Sequence, residues 1–64
     1  MKNERPQPFF RLLLLEQVAE GLGVSTRTVR RLIARRELVA CRLGRSVRVH
    51  PDDLAAYVSR QRGL

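Results

Sequence analysis

Two short apolar stripes at helical spacing, separated by Gly23-Val24-Ser25, constrain this chain more than any other feature. Leu15, Val18, Ala19 and Leu22 recur at i, i+3, i+4 and i+7, which puts them on one side of a helix over Leu15 to Leu22. Val29, Leu32 and Ile33 make the same pattern in a second helix over Thr26 to Arg36. Gly23 accepts a left-handed helix exit at little cost, and the Ser25 hydroxyl can cap the second helix. Leu14 stands where Ser or Thr would cap the first helix, a deficit of about 1 kcal/mol. Ala19 is small where two helices must approach closely. Val18, Leu22, Val24, Val29 and Leu32 are the expected contacts between them. Two short helices joined this tightly predict a helix-turn-helix.

The period then changes. Val39, Cys41 and Leu43 alternate with Ala40 and Arg42, and after Gly44-Arg45, Val47 and Val49 alternate with Arg48 and His50. This predicts two strands joined by a glycine-containing turn. The apolar side chains of both strands are expected to pack on the helices, leaving Arg42, Arg45 and Arg48 on the open side or at the tip. Pro51 suits a first helical turn, and Asp52 and Asp53 suit the positive end of its dipole. Leu54, Tyr57 and Val58 are the expected inward stripe of this third helix. The predicted class is therefore mainly α with a small β-hairpin, in the order α-α-β-β-α, a winged helix-turn-helix.

With 64 residues there is room for one small domain, expected over residues 11–62. A chain this short buries only about 60% of the surface its unfolded form exposes, so its margin of stability is thin. Residues 1–10, with Pro6 and Pro8 against helix, are expected to be a flexible arm; Phe9 and Phe10 are expected over the helices. A single cysteine, Cys41, excludes an internal disulfide and a multi-cysteine zinc site, and reads as a small buried hydrophobe. The longest apolar run, Leu12 to Leu15, is far short of the roughly 20 residues of a membrane span. The expectation is a cytoplasmic, nucleoid-associated protein with no membrane partner.

Charge supplies the functional expectation. The formal net charge is +7, and twelve of thirteen basic residues are arginine. Arg27 to Arg48 alone hold eight arginines and one acid, Glu37, while the remaining five basic and five acidic residues cancel. A field focused this way attracts a polyanion. Arginine's planar fork fits phosphates and guanine edges. On the second helix, Arg27 and Arg31 fall about 160° and 200° from Val29, opposite the apolar seam; Thr28, Arg30 and Arg35 flank them. Such a helix can enter the major groove of double-stranded DNA. Ser25, Thr26, Arg27, Thr28, Arg30 and Arg31 are the expected recognition-helix residues. The hairpin would be a wing whose Arg42, Arg45, Ser46 and Arg48 lie along the backbone, with Arg45 reaching a narrow minor groove. Arg35 and Arg36 are possible phosphate contacts. For Arg42 and Arg48 the alternative is a plain solvent-facing role.

No metal, cofactor or small-molecule ligand is expected. His50 lacks partners at ligand spacing and is expected to be exposed beside Pro51. Glu16 and Glu20, four residues apart, read as a solvated face rather than an acid–base pair. No nucleophile–base pair or phosphate loop is legible, so no enzyme is expected.

The pieces EQVAEGLGVSTRTVRRLI, ELVACRLGRSVRV and PDDL resemble the excisionase-type helix-turn-helix family, among the winged-helix domains related to the mercury-resistance (MerR) regulators. The resemblance runs from Leu12 to Val58. It implies an excisionase, or recombination directionality factor, that binds and bends attachment-site DNA to direct an integrase toward excision; the limited contact area of one small module adds the expectation that several copies bind repeated sites cooperatively. The expected partners are double-stranded DNA, an integrase, and further copies arrayed on DNA. The chain departs from the family pattern at Leu14, in place of Ser or Thr, and at Cys41, in place of an aliphatic residue. A small MerR-like transcriptional regulator is the nearest alternative. An adaptor binding an integrase or polymerase is an alternative of another class. RNA binding is disfavoured because no platform of aromatics for bases is visible.

Overall fold

A computed structural model describes residues 11–63; the predicted arm, with Phe9 and Phe10, lies outside them. The elements are α1 (Leu15–Leu22), α2 (Thr26–Ala34), β1 (Cys41–Leu43), β2 (Ser46–Arg48) and α3 (Pro51–Gln61). The fold is mainly helical, with an antiparallel hairpin between the second and third helices. It has the expected order of a winged helix-turn-helix.

Helix α1 starts without a side-chain cap from Leu14. Part of the deficit is made up from the other direction: Gln17 Oε1 accepts from the Leu14 N–H at 2.8 Å, the reciprocal half of a capping box. The exit is a Schellman turn. Gly23 sits at φ 73°, the Val24 N–H donates to the Ala19 carbonyl at 3.0 Å, and the Gly23 N–H donates to that of Glu20 at 3.2 Å. A Cβ at Gly23 would meet nothing within 4 Å, so the left-handed backbone, not crowding, calls for glycine there.

Helix α2 is capped as expected, with Ser25 Oγ accepting from the Thr28 N–H at 3.1 Å. Ser25→Ala should cost about 1 kcal/mol and lower the thermal midpoint by about 4–8 °C, measured by circular dichroism.

The helix ends at Ala34, two residues before the expected Arg36. Arg36 adopts φ 63°, and a second Schellman pair follows: Glu37 N–H to the Leu32 carbonyl at 2.9 Å and Arg36 N–H to that of Ile33 at 3.0 Å. Arginine in this conformation costs about 1–2 kcal/mol, and no glycine marks the stop. Two contacts hold it. Leu38, just beyond, is only 1% exposed, and Arg60 of α3 donates from Nη2 to the Glu37 carbonyl at 2.8 Å.

The buried core is Leu15, Val18, Ala19, Val29, Leu38 and Val49. Val18 and Val29 meet where α1 and α2 cross, as their spacing implied, while Leu22 and Leu32 are half-buried beside them. Val24 is exposed instead of joining this contact: it lies past the left-handed Gly23, outside the helical register that aligned the others.

The hairpin corrects the expected faces. Cys41 pairs with Arg48, Arg42 with Val47 and Leu43 with Ser46, and cross-strand partners share a face. The two-residue turn therefore puts odd positions of β1 beside even positions of β2. Val47 and the buried Val49 lie on the inner face with Ala40 and Arg42, whereas Cys41 and Leu43 share the outer face with Arg48 and Ser46. Leu43 is accordingly 55% exposed, and Val39 is 56% exposed. Gly44 at φ 64° starts the turn, as a two-residue turn of this hand requires.

Leu13 ties the hairpin to the helices. It forms an antiparallel bridge with Val49, with Leu13 N–H to the Val49 carbonyl at 2.8 Å and the reverse bond at 3.0 Å. Helix α3 begins on a cap the sequence reading missed: His50 Nδ1 accepts from the Asp52 N–H at 3.0 Å. His50 is half-buried rather than exposed. Leu54 and Tyr57 pack on the core, but Val58 is exposed and no residue of α3 is fully buried.

Candidate nucleic-acid interface

Helix α2 is held by the wholly buried Val29 with Leu32 and Ile33 packed beside it, so its opposite side is free to present charge. Arg27, Arg30, Arg31 and Arg35 are all exposed, and Thr26 and Thr28 are half-buried. Ser25 and Thr28 already have internal work. The Ser25 hydroxyl donates to Thr28 Oγ1 at 3.1 Å, and Arg31 Nη2 donates to the same oxygen at 3.3 Å. The helix cap is thus linked through Thr28 to the Arg31 guanidinium. This network restrains Arg31 one turn along the outer face, lessening the side-chain entropy it would lose on ordering against a partner. Arg27 and Arg31 project from the face opposite Val29.

The other arginines fall into two groups flanking the hairpin. Arg30 of α2 meets Arg45 and Arg48 of the wing in an open cleft of about 340 Å³, together with Thr26, Ser46 and Glu16. Arg36 and Arg42 line a second open cleft of about 540 Å³, between the C-terminal end of α2 and β1. Arg45 is exposed in the turn. Arg48 is half-buried, and its Nη1 donates to the Val47 carbonyl at 3.0 Å. Arg35 is the C-cap residue of α2, so Arg35 and Arg36 stand beyond the last helical turn, not on it as the sequence suggested.

Sequence spacing could not reveal this regrouping. Arg30 was expected with Arg27 and Arg31, and Arg48 with Arg42. The fold instead joins Arg30 to Arg45 and Arg48, while register separates Arg42 from Arg48. Glu16, read as a solvated carboxylate, is exposed yet stands in the wall of the first cleft. Arg60, near the end of α3, holds the loop after α2. Neither role has a signal in local pattern, because each needs elements far apart in sequence.

An exposed basic helix beside a basic hairpin can bond phosphates and base edges over a broad surface. No helix among the described residues is long and apolar enough to cross a membrane.

Comparison with known proteins agrees with this geometry. Residues 12–62 match a helix-turn-helix domain family. The chain is 54% identical over 45 residues to an excisionase of Mycobacterium phage D29, covering 69% of this chain and 80% of that protein. No solved structure matches the chain. The family match takes in both helices, the hairpin and α3, and with the identity to the phage protein it establishes that this chain belongs to the excisionase-type helix-turn-helix family of DNA-binding proteins.

Proposed function

We propose that this protein is an excisionase that binds attachment-site DNA in a sequence-specific way and directs an integrase toward excision. The observation that carries the reading is the exposure of Arg27 and Arg31 on α2 opposite a wholly buried Val29. In this reading α2 enters the major groove, with Arg27 and Arg31 at base edges and Thr26 and Thr28 beside them. The wing follows the flanking backbone through Arg42, Arg45, Ser46 and Arg48, and Arg35 and Arg36 add phosphate contacts. Ser25 shapes the start of the helix. The protein has no catalytic step of its own; bond breaking belongs to the integrase, and the work is done in the cytoplasm at the nucleoid.

Size supports an array. A single small module buries only about 600–1,000 Å² on DNA, which limits affinity. Several copies side by side on repeated sites would supply occupancy and bend the DNA together.

A titration tests the reading, using the element's attachment-region duplex and a random duplex at two salt concentrations. Preference for the first, a salt slope of about −4 to −6 for about five to seven neutralised phosphates, and a ladder of shifted bands are expected. Equal, purely salt-driven binding to both duplexes would refute sequence recognition. A footprint confined to one half-site at saturation would refute the array. Adding the protein to integrase and an integrated substrate should raise excision, and no rise would refute the excisionase role.

A further inference from the structure

We propose that the cleft between α2 and β2 seats a single phosphodiester group of the DNA backbone, held jointly by Arg30, Arg45 and Arg48 against the opposing charge of Glu16. This rests on the DNA-binding reading and assigns Arg30 a different role within it: backbone positioning instead of base contact.

Three observations carry the inference. Arg30 comes from α2 and Arg45 and Arg48 from the wing, yet all line one cleft, so three like charges are gathered where no local sequence pattern requires it. Glu16 is the only acid in the lining, which leaves the cleft with a net positive charge. Thr26 and Ser46 add hydroxyl donors to the same walls. Gathered guanidiniums repel one another. A phosphodiester relieves that repulsion because its oxygens accept charge-assisted bonds from several forks at once.

The placement of Arg30 argues against base readout. A side chain reading the groove floor should share the outer face of α2, as Arg27 and Arg31 do. Arg30 stands about 100° from Arg31 around the helix, on the side that faces the wing. A phosphate between α2 and the wing would fix the angle at which the recognition helix enters the groove. Glu16, at the start of α1, puts a carboxylate in the wall of the same cleft, which opposes an incoming phosphate.

The experiment uses the full chain, as wild type, Arg30→Ala, Arg45→Ala, the double variant and Glu16→Gln. Arg30, Arg45 and Glu16 are exposed, so folding should survive; circular dichroism checks this. Binding is measured on the attachment-region and random duplexes, then on duplexes with one neutral methylphosphonate at each position in turn. Arg30→Ala should weaken both duplexes by a similar factor, about tenfold. One methylphosphonate position should weaken the wild type while costing Arg30→Ala and Arg45→Ala much less. The double variant should reduce the salt slope by about 0.9, the value for one phosphate, and not by about 1.8. Glu16→Gln should bind both duplexes more tightly. Loss of preference between the duplexes in Arg30→Ala would overturn the assignment in favour of base contact. Sensitivity of the two arginine variants at different phosphates would overturn the shared seat, and unchanged binding by Glu16→Gln would overturn the placing of its charge against the phosphate. If the wild type binds neither duplex, the DNA-binding reading itself falls and the seat falls with it.

Discussion

Leu38→Ala should lower the thermal midpoint of this protein by about 10 °C or more, making it the most damaging single truncation in the domain. Leu38 is 1% exposed and is the largest of the fully buried side chains. Removing a buried leucine costs about 2–5 kcal/mol through lost transfer energy and the cavity left behind. In a domain of this size each kcal/mol moves the midpoint by about 4–8 °C. Only six buried residues form the core among those described, so few neighbours are available to collapse into the space. Leu38 also follows Arg36, whose left-handed backbone is held in place by the packing after it. Loss of that anchor should loosen the junction between α2 and the hairpin. Thermal unfolding by circular dichroism measures the effect; a midpoint within 3 °C or so of the wild type would show that Leu38 is not the keystone of the core.

Replacing Arg27 and Arg31 together by alanine should abolish the preference for attachment-region DNA. As a hypothesis, each arginine that forks onto a guanine contributes about 1–3 kcal/mol of discrimination. Together they supply about 2–6 kcal/mol, a loss of roughly 30-fold to 10⁴-fold in specific affinity. Both side chains are exposed, so the thermal midpoint should hardly move, which separates this loss from unfolding. The lysine pair Arg27→Lys and Arg31→Lys sharpens the test. Lysine keeps the charge but loses the planar fork, so the salt slope should persist while the preference falls. Retained preference in the alanine double variant would move sequence recognition away from α2 and would favour the adaptor alternative.

The outer face of α2 could be read from the seam of Val29, Leu32 and Ile33, because helical periodicity alone fixes which residues stand opposite. The importance of Leu38 could not. It sits between a helix whose end lacks glycine and strands whose alternation was misassigned. The hairpin shows why. Apolar residues at odd positions in both strands suggested one common face, but a two-residue turn reverses parity across the pair. Exposed Leu43, on the face opposite Val47, follows from that register. The early end of α2 has a similar origin: Arg36 takes the conformation usually given to glycine because Leu38 packing and the Arg60 bond hold the loop. The first helix cap is only half legible: Leu14 marks a poor cap by its side chain, while the compensating Gln17 bond needs the turn itself to form.

Read without coordinates, the amino-acid order settles the element sequence, the helix-turn-helix crossing at Val18 and Val29, and the identity of the arginines on the outer face of α2. These follow from rules acting over three to seven residues: periodicity, capping and turn chemistry. The partnership of Arg30 with Arg45 and Arg48, the separation of Arg42 from Arg48, the Leu13–Val49 bridge and the hold of Arg60 on the loop belong to the tertiary structure. They depend on strand register and on packing between distant segments, which one residue of slip would change and which no local pattern encodes.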